Sequence, residues 1–375
     1  MSLNNTSGND NSALVPRPPS AVGKTEPGAK RILSGMVADT LALVNGEQLK
    51  GAKARFRIGD YEWCEPDYRQ ILMWAKALNL TPEAVQERLF TELKHPYFTG
   101  EVRAEHTTQC VNGRIIRLGW DIGLLPLECF EWVAGLVIES IAFFVPSEIH
   151  ESQRTGRNLP LPLPELRYLD CNWLALTKLD LSAVPLLSEL CCDTNELTEL
   201  DLSAVPLLTR LSCGANELTE LDLSAVPLLT RLDCGFNQLT QLDLSVVPLL
   251  TDLSCSCNQL TELDLSAVPL LTELWCNSSQ LTELDLSAVP LLTLLHCFSS
   301  QLTELDLSAV PLLTRLDCGF NQLTELDLSF VPLLTWLWCA QNHLTELDIR
   351  PLEHLKNLHH DADKTRLIQR PDQNF

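Results

Sequence analysis

Fourteen cysteines stand in this chain, and nine of them, at 171, 192, 213, 234, 255, 276, 297, 318 and 339, fall 21 residues apart. Thiols in such number could pair as disulfides, hold zinc, or give a nucleophile to a neighbouring histidine. Strict spacing points elsewhere for the nine: one position repeated in register needs a small apolar side chain that stacks inward, and Cys serves as one. Cys191 and Cys257 are neighbours of that ladder, and strand alternation puts Cys191 outside and Cys192 inside. Neither brings the paired CxxC knuckles of a zinc site. Upstream, Cys64, Cys110 and Cys129 with His95, His106 and His150 could form a Cys–His pair, but Trp63-Cys64-Glu65-Pro66 reads better as a buried cysteine at a helix start. The sequence shows no Gly-rich phosphate loop, Gly-x-Ser-x-Gly elbow or HExxH, and no cofactor is expected.

Carboxylates are the second chemistry on offer. Residues 161–355 hold 27 Asp and Glu against six Lys and Arg, nearly all of the chain's net charge of −22. Two acidic columns recur every 21 residues, Asp180 through Asp348 and Glu199 through Glu346, with Lys178 and Gln241 as the exceptions in the second. Stacked about 4.8 Å apart, such acids repel one another, which should raise some of their pKa values. A bound cation would relieve the repulsion. Calcium solenoids, however, use Gly-rich Asp turns, so a solvated acidic face is the expectation here. Nucleic acid is disfavoured as a partner, because phosphate contacts need the opposite charge.

The elements that position these side chains are written in one repeated phrase. A turn reads Leu208-Thr209-Arg210-Leu211-Ser212-Cys213-Gly214-Ala215-Asn216-Glu217-Leu218-Thr219-Glu220-Leu221-Asp222-Leu223-Ser224-Ala225-Val226-Pro227-Leu228, and then begins again. A fixed period of this length signals stacked units, none of which can bury its apolar face alone. The half-phrases Leu-Thr-x-Leu-x-Cys and Leu-Thr-x-Leu-Asp-Leu both alternate, and both are read as short strands facing each other across a thin core. Asn195, Asn216, Asn237, Asn258, Asn321 and Asn342 fall at a turn where an amide can bond the backbone of adjacent coils; Ser279 and Ser300 interrupt that ladder. Pro185 and its equivalents up to Pro332 take the other corner. The Thr columns suggest ice binding, but their neighbours are Glu or core Leu rather than a second flat Thr row.

The pattern Leu-x-x-Leu-x-Cys-x-x-Asn-x-Leu-x-x-Leu-Asp-Leu resembles bacterial leucine-rich repeats of the short 21-residue class sometimes called IRREKO. The resemblance covers about half the chain. It implies a gently curved or nearly straight rod with a parallel sheet along one face, serving as a recognition scaffold without common catalytic residues.

Differences between turns locate the expected binding surface. One column runs Tyr168, Glu189, Arg210, Arg231, Asp252, Glu273, Leu294, Arg315, Trp336; the next runs Asp170, Cys191, Ser212, Asp233, Ser254, Trp275, His296, Asp317, Trp338. Phe236, Phe298 and Phe320 follow shortly after the ladder cysteines. A face that varies over a constant scaffold is what a binding surface looks like, and Trp and Arg are common interface anchors. The expected partner-binding residues are Arg210, Arg231, Phe236, Trp275, Leu294, His296, Phe298, Arg315, Phe320, Trp336 and Trp338, with the aromatic ones projecting outward.

Four segments are expected: a disordered tail over 1–30; a cap domain over 31–160, helical and then of irregular strands; the solenoid of nine turns over 161–355; and a closing tail over 356–375. Within the cap, Ile32 to Val44 and the segment after Pro66 carry helical spacing, and Thr81 with Pro82 starts another helix. Ile115 to Trp120 and Val137 to Phe143 read as irregular entry coils. No run of 18 apolar residues and no secretory leader is visible, so a cytoplasmic protein of α/β class is expected, with non-classical export the alternative and no membrane partner. The function expected is non-catalytic binding of a protein. An effector-like enzyme acting through the cap domain and a cation-dependent rod are the alternatives, and oligomeric state is left open.

Overall fold

The computed structural model describes residues 56–58, 61–89, 108–111, 114–121, 138–144, 159, 161 and 163–373. The expected helix over Ile32–Val44, and Cys129, His95, His106 and His150, lie outside them.

A hairpin of β1 (Phe56–Ile58) and β2 (Tyr61–Trp63) leads into helices α1 (Glu65–Leu78) and α2 (Pro82–Leu89). Helix α1 begins at Cys64, carries Pro66 and two acids in its first turn, and stops where Asn79 turns left-handed. The Thr81 hydroxyl caps α2 by accepting the Ala84 N–H at 3.2 Å, as the sequence predicted. Trp63, Ile71, Trp74 and Val85 fill the core beneath these helices. Asp67, fully buried on α1, accepts the Ile115 N–H at 2.9 Å and so ties the helix to the first long strand.

One sheet of thirteen strands carries the rest. Strands β3 (Gln109–Val111), β4 (Arg114–Asp121) and β5 (Ser140–Phe144) open it. Nine three-residue strands follow, from β6 (Tyr168–Asp170) to β14 (Trp336–Trp338), and β16 (Asn357–His359) closes it. Every pairing after the antiparallel β3–β4 is parallel. The entry coils expected from Ile115 to Trp120 and from Val137 to Phe143 contribute strands β4 and β5 to this sheet, Val137 itself lying outside the described residues. Register is in phase with the repeat, so that Leu211 lies beside Leu232 and Ser212 beside Asp233. The ladder runs on past residue 355, because Asn357-Leu358-His359 pairs with Trp336-Leu337-Trp338.

From β7 to β14 each strand has a central buried Leu flanked by half-buried or exposed residues that face out; in β6 Tyr168 and Asp170 are buried as well. The ladder cysteines are buried to within 1% of full burial. Burial pushes their thiols far up, Cys255 and Cys339 to about 12, so they stay protonated at neutral pH and act as core rather than as nucleophiles or ligands. Cys191, by contrast, is half-buried on the outward side.

The turn after each cysteine is stitched by asparagine. Asn237 accepts the Leu218 N–H at 3.0 Å and donates to the carbonyls of Cys213, Cys234 and Gly235 at 3.0, 3.1 and 3.2 Å. One side chain thereby satisfies buried backbone from two coils. Where serine replaces it, Ser279 bonds the Cys276 carbonyl and Ser300, each at 3.0 Å. Among the described residues, neither serine takes up the Leu260 or Leu281 N–H. The first-half Thr hydroxyls are also engaged, Thr230 donating to the Thr209 carbonyl at 3.0 Å and so on along the column. At the other corner Pro227 follows Val226, whose carbonyl accepts the Leu229 N–H at 3.1 Å, a turn in which Pro sits at the favoured second position.

The second half-phrase does not form the expected strand. Its leucines face the core, Leu200 at 8% and Leu202 at 2% exposure. Its backbone, though, makes one bond per coil, Glu217 N–H to the Leu197 carbonyl at 2.9 Å. Stacked Glu and Asp oppose one another coil by coil, and like charges directly opposite destabilise strand pairing. The exception is β15 (Glu346–Asp348), which pairs with β17 (Arg366–Ile368): there Glu346 meets Arg366 in an ion pair of 2.6 Å and Asp348 lies beside Ile368.

Among the described residues, no helix is long and apolar enough to cross a membrane.

Candidate interaction surface

The two variable columns flank the buried leucines of the sheet, so their side chains share one face. The candidate residues fall into two groups along it. Arg210, Arg231 and Phe236 lie in the coils of β8 (Arg210–Ser212) and β9 (Arg231–Asp233). Trp275, Leu294, His296, Phe298, Arg315, Phe320, Trp336 and Trp338 lie in the coils of β11 (Glu273–Trp275) through β14, two strands further on.

In the first group the guanidiniums are occupied at the surface. Arg210 lies 3.6 Å from Glu189 and Arg231 3.3 Å from Asp252, exposed pairs that contribute little to stability. Phe236 is 65% exposed and stands with φ at 54°, in the left-handed region that a non-glycine residue enters at a cost of about 1 kcal/mol. Phe320, 48% exposed, has the same geometry at φ 53°.

In the second group the rings do not splay into solvent as expected. Trp275, His296, Trp336 and Trp338 are half-buried and lie against their neighbours: Trp275 stacks with His296 at 6.2 Å between centroids, His296 with Trp336 at 6.0 Å, and Trp338 with the exposed His359 at 4.6 Å. Phe298 meets Phe320 at 4.9 Å along the edge of the face. In register, a one-coil step of about 4.8 Å brings a ring on one strand into contact with the next, so stacking was available to any aromatic column. Gly319 makes room for this arrangement, since a Cβ there would meet Trp338 Cδ1 at 2.7 Å. The Trp338 indole N–H is buried with no hydrogen-bond partner among the described residues.

Charge within the patch is muted. Desolvation holds the His296 imidazole below its ordinary pKa, against the pull of Asp317, whose carboxylate lies 3.7 Å from Nδ1. Desolvation likewise raises Asp317. Arg315, between Leu294 and Trp336, is exposed and makes no ion pair among the described residues. His359 was missed in the sequence, where the closing segment read as polar; its offset of one full repeat from Trp338 was the available signal.

The Asp column behaves opposite to expectation. Asp222 and its equivalents from Asp180 to Asp327 are held below the usual carboxylate range by the N–H and hydroxyl of the serine two residues on, as in the 2.9 Å bond from Ser224 N–H, and Asp348 by Arg350. The raised carboxylate lies elsewhere: burial pushes Asp193 up to about 6, although the Ser212 hydroxyl and Gly214 N–H donate to it. No group of three or more metal-binding side chains occurs among the described residues.

The array is a leucine-rich-repeat solenoid of the short bacterial class, defined by its 21-residue coil, in-register parallel strands and buried cysteine and asparagine ladders. Among solved structures it is similar to the functional domain of InlJ from Listeria monocytogenes, described as including a cysteine ladder, at 38% identity and a TM-score of 0.54. That match covers 67% of this chain and 52% of the InlJ chain, so the protein spans about half the length of its relative. YopM from Yersinia enterocolitica matches at 28% identity and a TM-score of 0.48 over 63% of this chain and 55% of that one. No protein-family model and no curated protein sequence matches the chain.

Proposed function

We propose that the chain is a non-catalytic scaffold that binds a protein partner through the sheet face, anchored on Trp275, His296, Trp336 and Trp338 with Arg315 and Leu294 between them. One observation carries this reading. In coils whose other positions scarcely change, variation concentrates on the two columns of the sheet face and the turn that follows them. Half-buried aromatic rings already locked by stacking give up little rotamer entropy on binding, which suits them as anchors. The exposed Phe236 and Phe320 and the half-buried Phe298, with Arg210 and Arg231, would form the rim.

The acidity of the array disfavours a phosphate backbone as ligand. The Asp columns already receive hydrogen bonds from their own serines, which removes the motive for a cation-dependent rod.

The test compares wild type with the Trp275→Ala, Trp336→Ala, Trp338→Ala variant in capture from native lysate, followed by titration of the captured partner. Both proteins are first shown folded by circular dichroism. Loss of three anchors is expected to weaken binding more than 100-fold, at about 2 kcal/mol each for anchoring residues. Equal affinity would overturn the reading and move attention to the cap domain.

A further inference from the structure

The most uniform apolar feature of the surface is not on the sheet face. From Leu207 to Leu333, every 21 residues, the first Leu of each Pro-Leu-Leu corner stands 40–42% exposed, with Phe330 at 47% alongside. The corner segment Ser-x-Val-Pro-Leu-Leu-Thr/Ser, repeated in eight coils from 182–188 to 329–335, contains no charged residue. In an array as acidic as this one, it is a continuous neutral edge. The next coil ends it with charge, at Arg350, Glu353 and Lys356.

We propose that this leucine edge is a self-association surface, on which a second copy of the same chain docks. Charge and period select that occupant. Two copies this acidic can approach closely along a neutral edge, whereas other faces set carboxylate against carboxylate. A second array also presents leucines at the identical one-coil pitch, so the two rows pack side by side, coil against coil, along their whole length; an unrelated partner has no such pitch. The edge is bounded on one side by the ionised Asp column and on the other by the Thr column that leads into the strands. A two-fold axis along the edge sets each Asp column beside the partner copy's Thr column, while an axis across it would oppose Asp to Asp. The pair is therefore parallel and isologous. Eight coils at about 4.8 Å and a width of roughly 10 Å give an apolar area on the order of 350 Å² per copy. Stable dimers bury about 800 Å² per partner, so the association is weak and concentration-dependent.

Sedimentation equilibrium across the micromolar range tests this with three proteins: wild type, Leu228→Glu with Leu249→Glu and Leu270→Glu, and the same three positions changed to Gln. All three positions are exposed, and circular dichroism verifies that each protein is folded. Wild type is expected to pass from its 41.9 kDa monomer mass to twice that value as concentration rises. The Glu protein should remain monomeric, its dissociation constant raised more than tenfold. The Gln protein, which adds no charge, should also associate more weakly than wild type and gives the answer if the Glu protein does not fold. A wild-type mass that stays monomeric throughout, or association undiminished in both variants, overturns the proposal. Trp275→Ala with Trp338→Ala should leave self-association unchanged, which separates this edge from the sheet face.

Discussion

The two halves of each coil are nearly the same phrase and fold differently. Leu-Thr-x-Leu-x-Cys makes a strand in every coil, and Leu-Thr-x-Leu-Asp-Leu does so in the last alone among the described residues. Both halves bury their leucines, so alternation decided which side chains face inward in each. Pairing was decided by what stood one coil away. Across the sheet, Arg231 faces Asp252 and Leu294 faces Arg315, and the like pairs Arg210 with Arg231 and Asp252 with Glu273 stand singly rather than as an unbroken row. Across the back, Asp repeats against Asp. Lys178 faces Glu199 at 3.7 Å without a strand forming, because Asp180 still stands opposite Asp201; at Arg366 and Ile368 both oppositions are relieved and the strand appears. An alternating segment is thus competent for a sheet but does not enter one against a row of its own charge.

The stitch between the halves carries the largest expected effect. Asn237→Ala should strand a buried N–H and three carbonyls from both halves, costing about 3–4 kcal/mol in a urea melt. Asn237→Ser should cost about half as much, since Ser279 and Ser300 show the hydroxyl recovering part of the network. If alanine were tolerated at under about 1 kcal/mol, the two halves would not depend on this side chain for their junction.

The two faces should also titrate with opposite sign. Asp193, on the sheet side, has its folded pKa raised to about 6, so its favourable contribution is complete below the unfolded value and lost as pH rises through about 6. Asp193→Asn should therefore melt higher than wild type at pH 8, by about 1–3 kcal/mol, with the gap closing below pH 4. Asp222, on the back, has its folded pKa lowered; its contribution is present above the unfolded value and is lost as pH falls through the folded one. Carbon-detected NMR titration of the two carboxyls reads both directions, and a shared direction would collapse the distinction.

The smallest effect is the most direct test of the pairing argument. Glu262→Arg with Asp264→Ile transplants the last coil's residues into the middle of the back. Amide exchange at 262–264 should slow as a local strand forms, with a stability gain of about 0.5–1 kcal/mol. Unchanged exchange would mean that something other than like charge keeps the back open.

Much of this architecture was legible because, in a solenoid, the neighbour of a residue is the residue one repeat away. The column at Cys213 therefore specified its own contacts, as did the Asn237 column and the face holding Trp275 and Trp336. Thr81 and Pro82 were legible for the local reason that a helix start needs a cap and tolerates a missing N–H. His359 was obscured because its coil departs from the phrase everywhere except at the strand. The stacking of the rings, rather than their splaying outward, followed from space that Gly319 leaves and from a strand spacing the sequence does not print.

The sequence by itself determined the coil, its period, the side chains that face inward and the variable face, since each of these is a matter of repetition and alternation. Only the tertiary structure decided which half of the coil becomes sheet, which carboxylates are raised and which lowered, and whether the aromatic anchors stand apart or lean together. Those outcomes depend on distances of a few ångströms between neighbouring coils, over which like-charge repulsion, hydrogen bonding and desolvation compete, and composition fixes none of those distances.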